Sequence, residues 1–175
     1  MLQLFCETGI RRAELAALGV QDVLVDEHLI VIRHGKGDKM RLLPITDELT
    51  ARLRSLTGGK TTGPVFAASH GGSLSLRQVN RIVADAGTQA GVSNPNPRYR
   101  YVTCHLLRHS FARQWKAKNG SIESLSKILG HASPATTLTV YGTESLTEVR
   151  RNYDSTMRRI WRWPSEREGG NRGAS

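Results

Sequence analysis

Only two cysteines, Cys6 and Cys104, occur in the 175 residues. That is too few for a disulfide framework, and they lack the close pairing of a metal-ligand set, so two free thiols in a reducing compartment are expected. No run approaches the roughly 20 apolar residues of a membrane span. The opening MLQLFCETGIRRAEL does not follow the basic, apolar, small-residue order of a secretory signal. The expectation is a cytoplasmic protein with no membrane partner. Internal repeats are absent. So are an acidic cluster able to hold paired magnesium ions, which weighs against a metal nuclease, and a GxxxxGK[ST] run, which leaves nucleotide binding unsupported.

Acidic residues are scarce relative to basic ones, 15 against 25, for a formal net charge of +10. Arginine supplies 19 of the 25 cations, and its planar fork is the side chain suited to bidentate phosphate binding. A polyanionic partner is the leading inference, although charge alone is equally compatible with a merely basic surface. Hydrophobic residues at 38% suffice for one folded domain with a single core.

The pattern along the chain is α+β, mainly α-helical with a small antiparallel three-stranded sheet. LFCETGIRRAELAAL reads as two helices broken near Thr8 and Gly9, the second sending Leu15 and Leu18 into the core. Val23–Val25, Leu29–Arg33 and Met40–Leu43 are β-prone runs, the last two separated by HGKGDK, which predicts an antiparallel meander. Helical spacing returns in TDELTARLRSL with Thr46 as cap. It continues in the segment from Ser75, where Ser75 and Gln78 have capping-box spacing and Leu76, Val79 and Ile82 recur at threes. SNPNPRYRYVT is a loop. CHLLRHSFARQW places Leu107, Phe111 and Trp115 at four-residue spacing, Ser121 caps SIESLSKIL, and Ser133 with Pro134 starts another helix. From Leu146 a final helix aligns Leu146, Val149, Tyr153, Met157 and Ile160. Its other face carries Arg150, Arg151, Arg158 and Arg159, suited to solvent, DNA or a docking partner. Residues 164–175, PSEREGGNRGAS, lose apolar periodicity and are expected to be a disordered tail.

Several residues could carry chemistry. Arg11 follows Gly9 at a helix start, where amide dipoles favour an anion; it is equally placed to pair with Glu14 one turn on. His105 and Arg108 lie three apart and share a face, a fitting pair to hold a phosphoryl oxygen. His109 sits one turn beyond. Cys104, His105 and His109 could be read as zinc ligands, but the glutamate of HExxH is missing, and His109 is better read as making a buried structural hydrogen bond. His131 follows a helix-ending glycine, and Tyr141 comes ten residues later. A phenol of ordinary pKa near 10 is a poor nucleophile unless cations and donors activate it. Lys36, between glycines in HGKGDK, reads by itself as a solvated turn.

Taken in order, TGIRRAEL, GKGDKMRLLP, HLLRH, LGH and a following tyrosine run from residue 8 to residue 141. This constellation resembles the catalytic domain of the tyrosine recombinase, or phage integrase, family of DNA strand-exchange enzymes. The resemblance implies that family's catalytic-domain fold over residues 1–163. It also implies an amino-terminally shortened domain with no core-binding domain, since only seven residues precede Thr8. By the same resemblance, Tyr141 is the nucleophile that forms a 3′-phosphotyrosyl intermediate, and Arg11 and Arg108 clamp the phosphate. Lys36 protonates the leaving 5′-oxygen, His105 assists proton removal from Tyr141, His131 bonds a phosphate oxygen, and Glu14 braces the site. TG-x-R-x-x-E-L selects Arg11 over its neighbour Arg12. The implied partners are double-stranded DNA and further copies of the chain, as a homotetramer on DNA in the nucleoid. No cofactor and no metal are implied, because one phosphate ester replaces another. The implied function is site-specific recombination or integration of mobile DNA; the alternatives are a type IB topoisomerase-like nicking and closing activity and a noncatalytic DNA-binding remnant. The carboxyl-terminal helix is expected either to dock on a neighbouring protomer or to fold back on its own domain.

Overall fold

The computed structural model describes residues 1–33, 40–130 and 145–161. Helix α1 (Leu2–Thr8) buries Leu4 and Phe5 and ends where Gly9 enters the left-handed region at φ 58°. A Cβ at Gly9 would lie 2.7 Å from the Phe111 ring and 2.8 Å from Leu129, so conformation and space both require glycine there. Ile10 and Leu15 flank the start of the short α2 (Arg12–Ala16) and are fully buried.

Strands β1 (Val23–Leu24), β2 (Leu29–Ile32) and β3 (Arg41–Pro44) form the expected meander, in the order β1-β2-β3 and antiparallel throughout. The two-residue period turns Ile30 and Ile32 into the core; across β3, Ile30 faces Leu43 and Ile32 faces Arg41. An arginine thus occupies a register position on the buried side of the sheet. Residues 34–39, with Lys36, lie outside the described residues.

Each later helix starts at a residue whose hydroxyl accepts an otherwise orphaned backbone N–H. Thr46 caps α3 (Asp47–Thr57), Ser75 caps α4 (Leu76–Gln89), Thr103 caps α5 (Cys104–Ala117), Ser121 caps α6 (Ile122–Leu129) and Ser145 caps α7 (Leu146–Ile160). The buried stripe of α4 is Val79, Val83 and Gly87, in place of the expected Leu76, Val79 and Ile82; Leu76 and Ile82 face outward. Gly87 draws the helix onto that side, because it lets Val102 approach to within 2.6 Å of where a Cβ would stand.

Helix α5 runs through the centre. Phe111 and Trp115 are buried on it, with ring centroids 5.8 Å apart, and it packs against α1, α6 and α7. Helix α7 folds back on its own domain, the second of the two arrangements expected for it. Val149, Tyr153 and Met157 are buried, and the Tyr153 ring lies 6.3 Å from that of Trp115. Asn152 donates to Ser124 Oγ at 3.0 Å, and Arg150 donates to the His28 carbonyl at 2.8 Å. No helix among the described residues is long and apolar enough to cross a membrane. The expected tail at 164–175 lies outside them.

Candidate active site

The carboxyl end of α6 is where three separate parts of the chain converge. Its last carbonyls have no partner within the helix and carry the negative end of the helix dipole. Three arginines supply both a donor and a positive charge. Arg41 Nε, from β3, donates to the Ile128 carbonyl at 3.0 Å; Arg108 Nη2, from α5, donates to that of Leu129 at 2.8 Å; and Arg11 Nη2, from the start of α2, donates to that of Gly130 at 2.8 Å. Arg108 also donates through Nη1 to the Gly9 carbonyl at 2.5 Å, so the glycine turn between α1 and α2 is joined to the same point.

One carboxylate balances this group. Glu14 Oε1 accepts from Arg11 Nη1 at 2.9 Å and Arg41 Nη1 at 2.8 Å, while Oε2 accepts from Arg41 Nη2 at 2.7 Å and the Arg11 backbone N–H at 2.9 Å. Its side chain is only 4% exposed. Three guanidinium groups against one carboxylate leave a surplus of two positive charges. Burial first, then the Arg11 charge, with Glu14 opposing and Arg41 contributing, hold the pKa of Arg108 down to about 10. It remains protonated at neutral pH. Two of its five N–H groups are used on the Gly9 and Leu129 carbonyls, and among the described residues the other three have no acceptor and can meet an anion.

His105 lies on the exposed side of α5, one turn before His109, and their Nε2 atoms are 2.7 Å apart. Partial burial, then the charges of His109 and Arg108, lower the pKa of His105 below its usual value. His109 is exposed and bonded to His105; the buried structural bond expected of it is not made, because this turn of α5 faces away from the core. Cys104 is buried on the other side, its thiol donating to Asn80 Oδ1 at 3.3 Å. The three residues considered for zinc are therefore not gathered, and no group of three or more metal-ligating side chains occurs among the described residues.

Of the expected site residues, Arg11, Glu14 and Arg108 lie in one network, with His105 on the preceding turn of α5. His131, which directly follows Gly130, and Tyr141 lie outside the described residues, as does Lys36. Arg11, and not Arg12, is the arginine that reaches Glu14 and Gly130. Arg41 is a participant that the sequence motifs do not single out. The signal for it is an arginine two residues before Leu43 on an alternating strand, which places it on the core side.

The sequence matches the phage integrase family over residues 1–147. The chain belongs to the phage integrase family. Tyrosine recombinase XerC of Xanthomonas campestris pv. campestris is 32% identical over 165 residues, which are 93% of this chain and 49% of that protein. XerC of Chromobacterium violaceum is 32% identical over 158 residues, 88% of this chain and 50% of that one. The chain spans about half the length of the curated relatives it matches. Among solved structures, XerA recombinase is 30% identical with a TM-score of 0.64, covering 87% of this chain and 55% of that one. XerH bound to its difH substrate is 25% identical with a TM-score of 0.60, covering 87% and 41%. The integrase of mycobacterium phage Brujita, 17% identical, shares the fold at a TM-score of 0.69, covering 91% and 50%.

In this phage integrase family member the Glu14 network sets a pH dependence. Burial raises the Glu14 pKa, but the Arg41 hydrogen bonds, the Arg11 backbone N–H, the Arg41 charge and the Arg11 side chain outweigh it and bring the group from 4.5 down to about 2. The unfolded chain then binds the proton more tightly. The stabilisation is complete above about pH 4.5 and is lost as pH falls toward about 2, a difference of ~3 kcal/mol at about 1.4 kcal/mol per unit. Glu7 runs the other way: burial raises its pKa despite bonds from Gln3 and Thr46, so its contribution favours acid and fades as pH rises through its folded value. Glu14→Gln is expected to flatten the acid loss of stability in denaturant titrations between pH 5 and pH 2, to within about 1 kcal/mol. An equally steep loss in the variant would refute this account of Glu14.

Proposed function

We propose that this chain is the catalytic portion of a tyrosine recombinase that breaks and rejoins double-stranded DNA for site-specific recombination or integration. The observation that carries the reading is the pair Arg11 and Arg108, held on the neighbouring carbonyls of Gly130 and Leu129 with N–H groups that no other described residue takes. Guanidinium groups fixed before substrate arrives stabilise charge growing on phosphate oxygens without reorganising. In the proposed step the Tyr141 oxygen attacks the phosphorus, a tyrosyl O–P bond forms and the bond from phosphorus to the 5′-oxygen breaks. The phenolic proton passes to neutral His105, Lys36 supplies the proton for the leaving 5′-oxygen, and His131 bonds a nonbridging oxygen. Rejoining is the reverse, with one ester exchanged for another.

Basic and aromatic side chains outside the network suit the same partner. Arg77 and Arg81 of α4 line one open groove with Tyr101. Arg98, Tyr99 and Arg100 are exposed on the loop beside it, giving cations for phosphates and aromatic faces for sugars and bases. Assembly as a tetramer on DNA belongs to the same reading.

The test is capture of the full chain on nicked suicide duplexes of randomised sequence, with chelator present. A denaturation-resistant adduct whose acid hydrolysis yields phosphotyrosine is expected. DNA binding with no adduct across the library would favour the noncatalytic reading, and relaxation of any supercoiled plasmid irrespective of sequence would favour the topoisomerase-like one.

A further inference from the structure

Arg41 touches everything that holds Arg11 in place. Its fork takes both oxygens of Glu14, the carboxylate to which Arg11 is bonded through side chain and backbone. Its Nε takes the Ile128 carbonyl, and its stem packs so closely on Gly130, the other anchor of Arg11, that a Cβ there would lie 2.9 Å from Arg41 Cδ. Only 11% of the side chain is exposed. With Arg41 in place, Glu14 accepts four hydrogen bonds, which fills its acceptor capacity and leaves it one orientation.

We propose that Arg41 is a positioning residue for DNA cleavage: its fork locks the Glu14 carboxylate to the end of α6, which sets the orientation of Arg11. The inference rests on the recombinase reading and extends it to a group that does not itself touch the phosphate. A buried ion pair that served stability alone would be replaceable by apolar packing; one that aims Arg11 is not. The charged groups facing Glu14 among the described residues are Arg11 on its own helix, Arg41 on β3 and Arg108 on α5.

The experiment compares Arg41→Met and Arg41→Lys in the full chain by single-turnover adduct formation, DNA affinity and thermal melting. Folded Arg41→Met is expected to bind DNA like the parent and to cleave about 10- to 100-fold more slowly, the scale of a misaligned catalytic group. On an Arg11→Ala background the same change should cost no more than about 2-fold further, since both act through one group. Parental cleavage by folded Arg41→Met, or losses that multiply in the double variant, would overturn the inference. If Arg41→Met does not fold, Arg41→Lys decides: it keeps charge and stem but not the fork. A rate about 10-fold below the parent supports the inference and a parental rate overturns it. NMR titration of the Glu14 carboxyl in the DNA-free chain adds an arm independent of activity. Its midpoint should rise in Arg41→Lys, and an unchanged midpoint overturns the inference. A parent chain that forms no adduct overturns the recombinase reading instead.

Discussion

Tyr141→Phe is expected to abolish the covalent protein–DNA adduct altogether while leaving DNA retention and thermal melting as in the parent, because only the oxygen proposed to attack is removed. The matched control is Tyr153→Phe. Tyr153 is fully buried between α5 and α7, and burial, reinforced by the Glu7 charge, holds its phenol well above its ordinary pKa. Its hydroxyl has no hydrogen-bond partner among the described residues, so losing it should change stability by no more than about 1 kcal/mol and leave the adduct intact. Denaturing gels of suicide-substrate reactions read both variants. An adduct that persists in Tyr141→Phe would reject Tyr141 as the nucleophile, and one lost in folded Tyr153→Phe would reject the structural role given to that residue.

Arg108→Ala is expected to slow cleavage by at least about 100-fold, the scale of losing a preorganised donor to a developing oxyanion. It should also cost stability, because the Gly9 and Leu129 carbonyls lose their charged donor; a lost bond to a charged group is worth about 1.5–3 kcal/mol. Arg108→Lys separates the two effects. Lysine restores a positive charge and can satisfy one carbonyl, but it cannot bridge both and still present a fork to phosphate. Single-turnover cleavage should therefore stay impaired in Arg108→Lys while melting recovers in part. Cleavage at the parental rate by either variant would remove Arg108 from the phosphate site.

Features that depend on near neighbours are legible in the sequence. The caps Thr46, Ser75, Ser121 and Ser145 act on residues three positions on. The Arg11–Glu14 contact spans one turn, and His105 with Arg108 needs only helical periodicity to share a face. Contacts made across the fold are harder to read. Arg41 meets Glu14 across 27 positions and Ile128 across 87, and no local period encodes either. A histidine beside an apolar run resembles a core residue, which predicts a buried bond for His109, whereas the path of α5 turns that position outward. On α4 the three-residue pattern of Leu76, Val79 and Ile82 competes with the four-residue pattern through Val83 and Gly87, and the closeness of Val102 to Gly87 decides it. The direction in which α7 folds depends on where Trp115 and Tyr153 meet, which amphipathicity alone does not specify.

The seat of α7 has an energetic symmetry. Were the helix to move to a second copy of the chain, Val149, Tyr153 and Met157 would leave one pocket and enter its duplicate, and each subunit would recover from its neighbour the burial it gave up. Packing would then favour neither arrangement. The choice would pass to the local concentration of copies of the chain. A change in chain concentration would therefore shift the balance between a self-contained subunit and a swapped one without altering a single residue of the core.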